Sequence, residues 1–121
     1  MLVLDTNIVV FFLTNDLNRD EQKALSRDSH WAISAIVLWE LAQLCDLRRV
    51  NFTLESPAAE ELLTRLEVLP LTLAIALQSR RLDFKSDPAD EIIAATSIVH
   101  RAPLVTRDAR LLASRIVPLA G

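Results

Sequence analysis

Residues 1–13 read MLVLDTNIVVFFL, and the reading of this stretch decides the fold. Leu2, Val3 and Leu4 suit a short buried strand, and the apolar run from Ile8 to Leu13 suits a helix beginning near Asn7. Asp5, Thr6 and Asn7 stand between the two. An isolated ionised carboxylate in apolar surroundings is so unfavourable that it stays in water, finds a partner or binds a cation. The rest of the chain has to say which applies to Asp5.

Working outward, short apolar runs alternate with longer helical patterns. WAIS (31–34) is a second strand, and AIVLWELAQLCDL a long apolar helix with Ser34 as its N-cap. RDEQKALSR reads as a polar surface helix. SPAAEELLTRLE starts with a capping serine, Ser56, and Pro57 at the first helical position. VLPL (68–71) is a short strand, LTLAIALQSRR a helix, and DFKSD a loop. PADEIIAATSIVH is a helix entered through Asp87 and Pro88. PLVT (103–106) is a strand, RDARLLAS a short helix and IVPL (116–119) a last strand. Strands that alternate with helices, without hairpin dipeptides, predict an α/β fold. Its centre is a parallel sheet of four to five strands covered by helices on both faces.

Composition bounds the function. The 121 residues suit one domain, spanning 1–121. No apolar run approaches the ~20 residues of a membrane helix, and Asp5 interrupts anything like a signal sequence, so a cytoplasmic protein is expected. Cys45 alone permits no internal disulfide and reads as a small buried hydrophobe. Gly121 is the only glycine, which excludes a glycine-rich phosphate loop and a dinucleotide fingerprint. His30 and His100 are far apart, and neither sits in a nucleophile motif or a metal-binding pair. The chemical inventory that remains is carboxylates. A net charge of −3 argues weakly against passive nucleic-acid binding. Acids gathered around cations would leave the remaining surface more basic than that total suggests.

Ligands of open α/β sheets bind outside the carboxyl ends of the strands. Asp5 follows the first strand, and Asp108 comes two residues after PLVT, so both emerge at one edge. Glu40 shares a helix face with Ile36, Val37, Leu41 and Leu44, apart from the polar stripe through Gln43 and Asp46. Asp90 lies in the first turn of its helix. Each acid also has a purely structural reading. Asp5 and Asp87 could cap helices, and Asp90 could complement a helix dipole. Asp108 could stand in the first turn of a helix capped by Thr106, and Glu40 could pair with an arginine. One cause covers Asp5, Glu40, Asp90 and Asp108 together: like carboxylates within a few ångströms need a counter-charge. A hard divalent cation with oxygen ligands, Mg²⁺ or Mn²⁺, supplies it and suits phosphodiester hydrolysis.

These motifs, LVLDTNIVV, the glutamate of ISAIVLWELAQL, DPADEIIAATS and PLVTRDARL, resemble in order and spacing the PIN-domain ribonucleases. The likeness is greatest to the VapC-type toxins of bacterial toxin–antitoxin pairs, and it covers the whole chain. It implies a three-layer α/β/α domain whose acid quartet binds Mg²⁺ or Mn²⁺ and cuts RNA. Carried over by motif, the metal ligands and catalytic acids are Asp5, Glu40, Asp90 and Asp108, supported by Thr6, Asn7 and Thr106. The resemblance further implies a homodimer and a small antitoxin protein lying over the helices, with VVFFL (9–13) offering either groove or core. Glu91 departs from the pattern, since relatives often carry arginine there. Arg80, Arg81, Lys85, Arg107 and Arg110 flank the acidic motifs, as phosphate contacts or as ordinary solvated charges. Two other readings compete: a catalytically silent PIN-like subunit that binds RNA or protein, and an aspartyl-nucleophile phosphatase. The phosphatase reading lacks a second acid two residues after Asp5, where Asn7 stands, and an evident catalytic lysine.

Overall fold

The computed structural model describes residues 1–120. Strand β1 (Leu2–Leu4) leads straight into helix α1 (Thr6–Thr14), followed by α2 (Arg19–Leu25), β2 (Trp31–Ser34) and α3 (Ala35–Asp46). Then come α4 (Pro57–Arg65), β3 (Glu67–Leu69), α5 (Leu73–Gln78), α6 (Pro88–His100), β4 (Leu104–Val105) and α7 (Ala109–Leu112). The four strands form one sheet in the order β3-β2-β1-β4, and all neighbours are parallel. Every residue of β1 is buried, so both faces of the sheet are covered.

Local chemistry sets the helix starts. Asp5 caps α1 by accepting from the Thr6 backbone N–H, and Ser34 caps α3 by accepting from that of Ile36. Asn18 and Glu21 form a reciprocal capping box at α2. Asp87 occupies the cap position of α6 ahead of Pro88, with no side-chain cap bond. Thr72 caps α5, its hydroxyl accepting from the Ile75 N–H. The core runs through Leu4, Ile8, Ile33, Leu41, Leu62, Ile93, Leu104 and Leu111.

The expected last strand is the main difference. Of residues 116–119, only Leu119 makes a bridge, to Leu104 of β4. Pro118 has no N–H to give a ladder, and Ile116 and Val117 turn their N–H groups onto the Ser114 hydroxyl. The sheet therefore has four strands, the lower of the two numbers expected. In VVFFL, Val9 is fully buried, whereas Val10, Phe12 and Leu13 pack half-buried against the core. No helix among the described residues is long and apolar enough to cross a membrane.

Candidate active site

The strand order explains where the acids meet. The connections after β1 and β2 step one way across the sheet, and the connection from β3 to β4 steps back past β1. Right-handed crossovers then place the helices that follow on opposite faces. A crevice opens at the carboxyl ends of β1 and β4, the topological switch point. Asp5 stands at the end of β1, and Thr106 and Asp108 follow β4.

Asp5 is almost completely buried, with 3% of its surface exposed. Its Oδ1 accepts from the Thr6 backbone N–H at 2.8 Å and its Oδ2 from the Thr106 hydroxyl at 2.7 Å. Burial pushes its carboxyl up to about 6, with the charges of Asp90 and Glu40 adding to the rise and the two hydrogen bonds opposing it. Thr106 also accepts from the Asp108 backbone N–H at 3.0 Å. The cap of α7 is therefore Asp108 itself, which accepts from the N–H groups of Arg110 and Leu111, and not Thr106.

Glu40, half-buried on α3, accepts a short hydrogen bond from the Thr6 hydroxyl. Burial raises its carboxyl, and Asp90 and Asp87 raise it further. Among the described residues it pairs with no arginine. Asp90, in the first turn of α6, accepts from the Ser86 hydroxyl at 2.8 Å. Its carboxyl is also raised, first by burial and then by the charges of Asp108 and Asp87, against a lowering by Arg110.

Asp5, Glu40 and Asp90 line one cleft of about 430 Å³, together with Thr6, Asn7, Gln43, Leu44, Leu47, Arg49 and Asp87. Asp108 lies beside that lining, near enough for its charge to act on Asp90. Gln43 shares the cleft with Glu40, so the polar stripe of α3 reaches further round the helix than its spacing suggests. Ser86, Gln43 and Arg49 are cleft or acid-contacting residues that motif reading passes over. Only the LRRV run after α3 hinted at a basic group here.

Among the described residues, no three His, Cys, Asp or Glu side chains converge at metal-ligand spacing. Glu40 is turned onto Thr6 and Asp90 onto Ser86, each finding a hydroxyl donor. The donor set is nonetheless suited to a hard divalent cation: the site offers carboxylate and hydroxyl oxygens, and three acids are held above their ordinary range by burial and mutual repulsion.

The basic candidates separate. Arg107 donates from Nε and Nη2 to the two Glu21 carboxylate oxygens at 2.7 and 2.6 Å, and from Nη2 to the Asp16 carbonyl at 3.1 Å. Its guanidinium lies 3.7 Å from the Phe11 ring centroid. It is a clamp between the β4–α7 turn and helices α1 and α2. Arg80 sits 3.7 Å from Glu91 and, with Lys85, lines a separate small pocket. Arg81 is exposed outside the acid cleft. Arg110 remains close enough to Asp90 to lower its carboxyl.

Comparison with known proteins matches residues 2–116 to the PIN domain. Ribonuclease VapC22 of Mycobacterium tuberculosis (strain ATCC 25618 / H37Rv) is 28% identical over 119 residues, covering 94% of this chain and 92% of its own. A toxin-antitoxin complex from Klebsiella pneumoniae superposes with a TM-score of 0.72 at 22% identity, over 98% of this chain and 96% of that one. VapBC2 from Rickettsia felis, bound to a DNA fragment from its promoter, gives 0.75 at 22% identity, again over 98% and 96%. Likeness at that identity speaks to the fold alone. The sequence match is the stronger finding, because it runs from β1 through α7 and takes in all four acidic motifs. The chain belongs to the PIN domain family.

Proposed function

We propose that this protein is a divalent-cation-dependent endoribonuclease that hydrolyses RNA phosphodiester bonds, the toxin of a type II toxin–antitoxin pair. One observation carries the reading: acids from β1, α3 and α6 face a single cleft, all raised by burial and mutual repulsion. Such an arrangement is costly to the fold unless a cation offsets it. The similarity to a protein named Ribonuclease VapC22 gives the substrate class.

Asp5, Glu40, Asp90 and Asp108 would hold Mg²⁺ or Mn²⁺. That ion, when bound, supplies Lewis-acid polarisation of a phosphoryl oxygen and lowers the pKa of a coordinated water. The chain's own part is to fix the acids. Thr106 ties Asp5 to the start of α7, Thr6 holds Glu40, and Ser86 holds Asp90. Asn7 lines the same cleft as a neutral polar group. Water attack in this scheme leaves a 5′-phosphate and a 3′-hydroxyl. We take residues 1–121 as one nuclease domain working in the cytoplasm. A small antitoxin is its cognate partner. Leu73 and Leu77, exposed and four apart on α5, offer apolar surface to a second copy in a homodimer.

The test is cleavage of a mixed RNA pool by wild type and Asp90→Asn, each with Mn²⁺ and with EDTA. Cutting that needs both the metal and Asp90 is the expected result. Cutting that survives both changes overturns the mechanism. Metal binding without cutting by wild type on any RNA supports a silent binding subunit instead.

A further inference from the structure

Among the described residues, Arg49 is the only lysine or arginine lining the acid cleft, which it shares with Asp5, Glu40, Asp87 and Asp90. Backbone geometry sets where this exposed residue leaves α3. Helix α3 ends with Arg48 in the left-handed region at φ 54°. The Arg48 N–H bonds back to the Cys45 carbonyl at 3.1 Å, and the Arg49 N–H to the Leu44 carbonyl at 3.0 Å. This is the paired closure that stops a helix and folds the chain back, formed here without the usual glycine. A non-glycine residue is disfavoured in this conformation.

Two facts then stand against each other. A cation facing the cleft weakens the binding of another cation there by repulsion. Yet among the described residues Arg49 makes no ion pair, although four carboxylates line the same cleft. Exposed and lining the cleft, Arg49 is open to an anion, and in a cleft suited to phosphodiester chemistry that anion is a phosphate. Arg107 is bonded to Glu21 and Arg80 lies beside Glu91, whereas Arg49 lines the cleft on the α3 side and the charge of Arg110 acts on Asp90.

We infer that Arg49 binds a backbone phosphate of the RNA strand next to the one cleaved, seating the strand across the acids between Arg49 and Arg110. The inference rests on the nuclease reading. It assigns Arg49 to binding the strand and leaves the chemical step to the acids.

The experiment measures binding of a short, labelled, random-sequence RNA to Asp90→Asn protein with Mn²⁺ across a salt series. The same measurement is made after adding Arg49→Ala, Arg49→Lys or Arg27→Ala. Arg27 lies in the turn after α2 that leads into the amino end of β2, opposite the carboxyl-end cleft, and serves as the control. Arg49→Ala should lower affinity several-fold and flatten the salt dependence by about 0.7 in log–log slope, the value for one phosphate on a single strand. Arg49→Lys should restore most of the slope, and Arg27→Ala should change neither quantity. In otherwise wild-type protein, Arg49→Ala should raise KM with kcat nearly kept and leave the Mn²⁺-induced rise in Tm intact or larger. Equal slopes for Arg49→Ala and Arg27→Ala overturn the assignment while leaving the nuclease reading standing. Loss of the Mn²⁺ response in Arg49→Ala also overturns it, because Arg49 would then be supporting the acids. A wild type that neither binds nor cuts RNA overturns both readings.

Discussion

The Thr106 hydroxyl donates to Asp5 Oδ2 at 2.7 Å while accepting from the Asp108 backbone N–H at 3.0 Å. One oxygen thus couples two acids from opposite ends of the chain. Thr106→Val keeps the shape and removes both bonds. A hydrogen bond to a charged, buried group contributes roughly 2 kcal/mol. The variant should lose about that much stability at pH 7, where Asp5 is ionised, and less at pH 5. Denaturant unfolding at the two pH values checks the difference.

Asp5 itself gives a pH dependence of definite sign. Its folded-state value, about 6, lies above the ordinary 3.8. Below 3.8 both folded and unfolded chains are protonated and no penalty exists. Between 3.8 and 6 the unfolded chain ionises first, so metal-free stability falls as pH rises, and above 6 the loss is complete. A two-unit shift corresponds to about 3 kcal/mol. Glu40 and Asp90, raised as well, act in the same direction. In EDTA, Tm should drop from pH 5 to pH 7, and Asp5→Asn should raise Tm at pH 7 by several degrees. A flat profile would show that the acids are not strained in the absence of metal.

Metal addition should reverse that loss. A ligand bound only by the folded state, at 100 times its Kd, stabilises by about 2.7 kcal/mol. Mn²⁺ at saturating concentration should therefore raise Tm by several degrees at pH 7 and by less at pH 5. Asp90→Asn and Glu40→Gln should abolish most of the response. Differential scanning fluorimetry over a metal series reads this directly.

Arg107 should behave as a structural residue. Glu21 is 6% exposed, and Arg107 holds its carboxyl below the ordinary range. Arg107→Ala leaves that carboxylate without its partner and should lower Tm. RNA affinity at a temperature where the variant is folded should keep the wild-type salt slope. A slope reduced by one phosphate's worth would return Arg107 to the substrate.

Much of this arrangement was legible in the residues, because local rules govern it. Ser34 before an apolar helix and Pro57 and Pro88 at helix starts each act within one turn of chain. The strand-end rule brought Asp5 and Asp108 to one edge for the same reason. What failed depended on partners remote in sequence. The ion pair of Arg107 could not be read beforehand because its acid, Glu21, lies 86 residues away. The strand expected at 116–119 was lost to Pro118 and to a serine turn that hydrophobicity does not register. Arg49 was invisible as a cleft residue because only the backbone turn at Arg48 aims it there.

The sheet order has a consequence for synthesis. Strand β1 is made first, yet it pairs with β4, and the Thr106 bond to Asp5 spans 101 positions. Asp90 emerges from the ribosome before β4, so three of the acids are present while the edge that closes the crevice is still untranslated. Contacts of such long sequence separation form late. In the proposed nuclease the site is incomplete until translation has passed Asp108, which leaves an interval during synthesis before the activity is switched on.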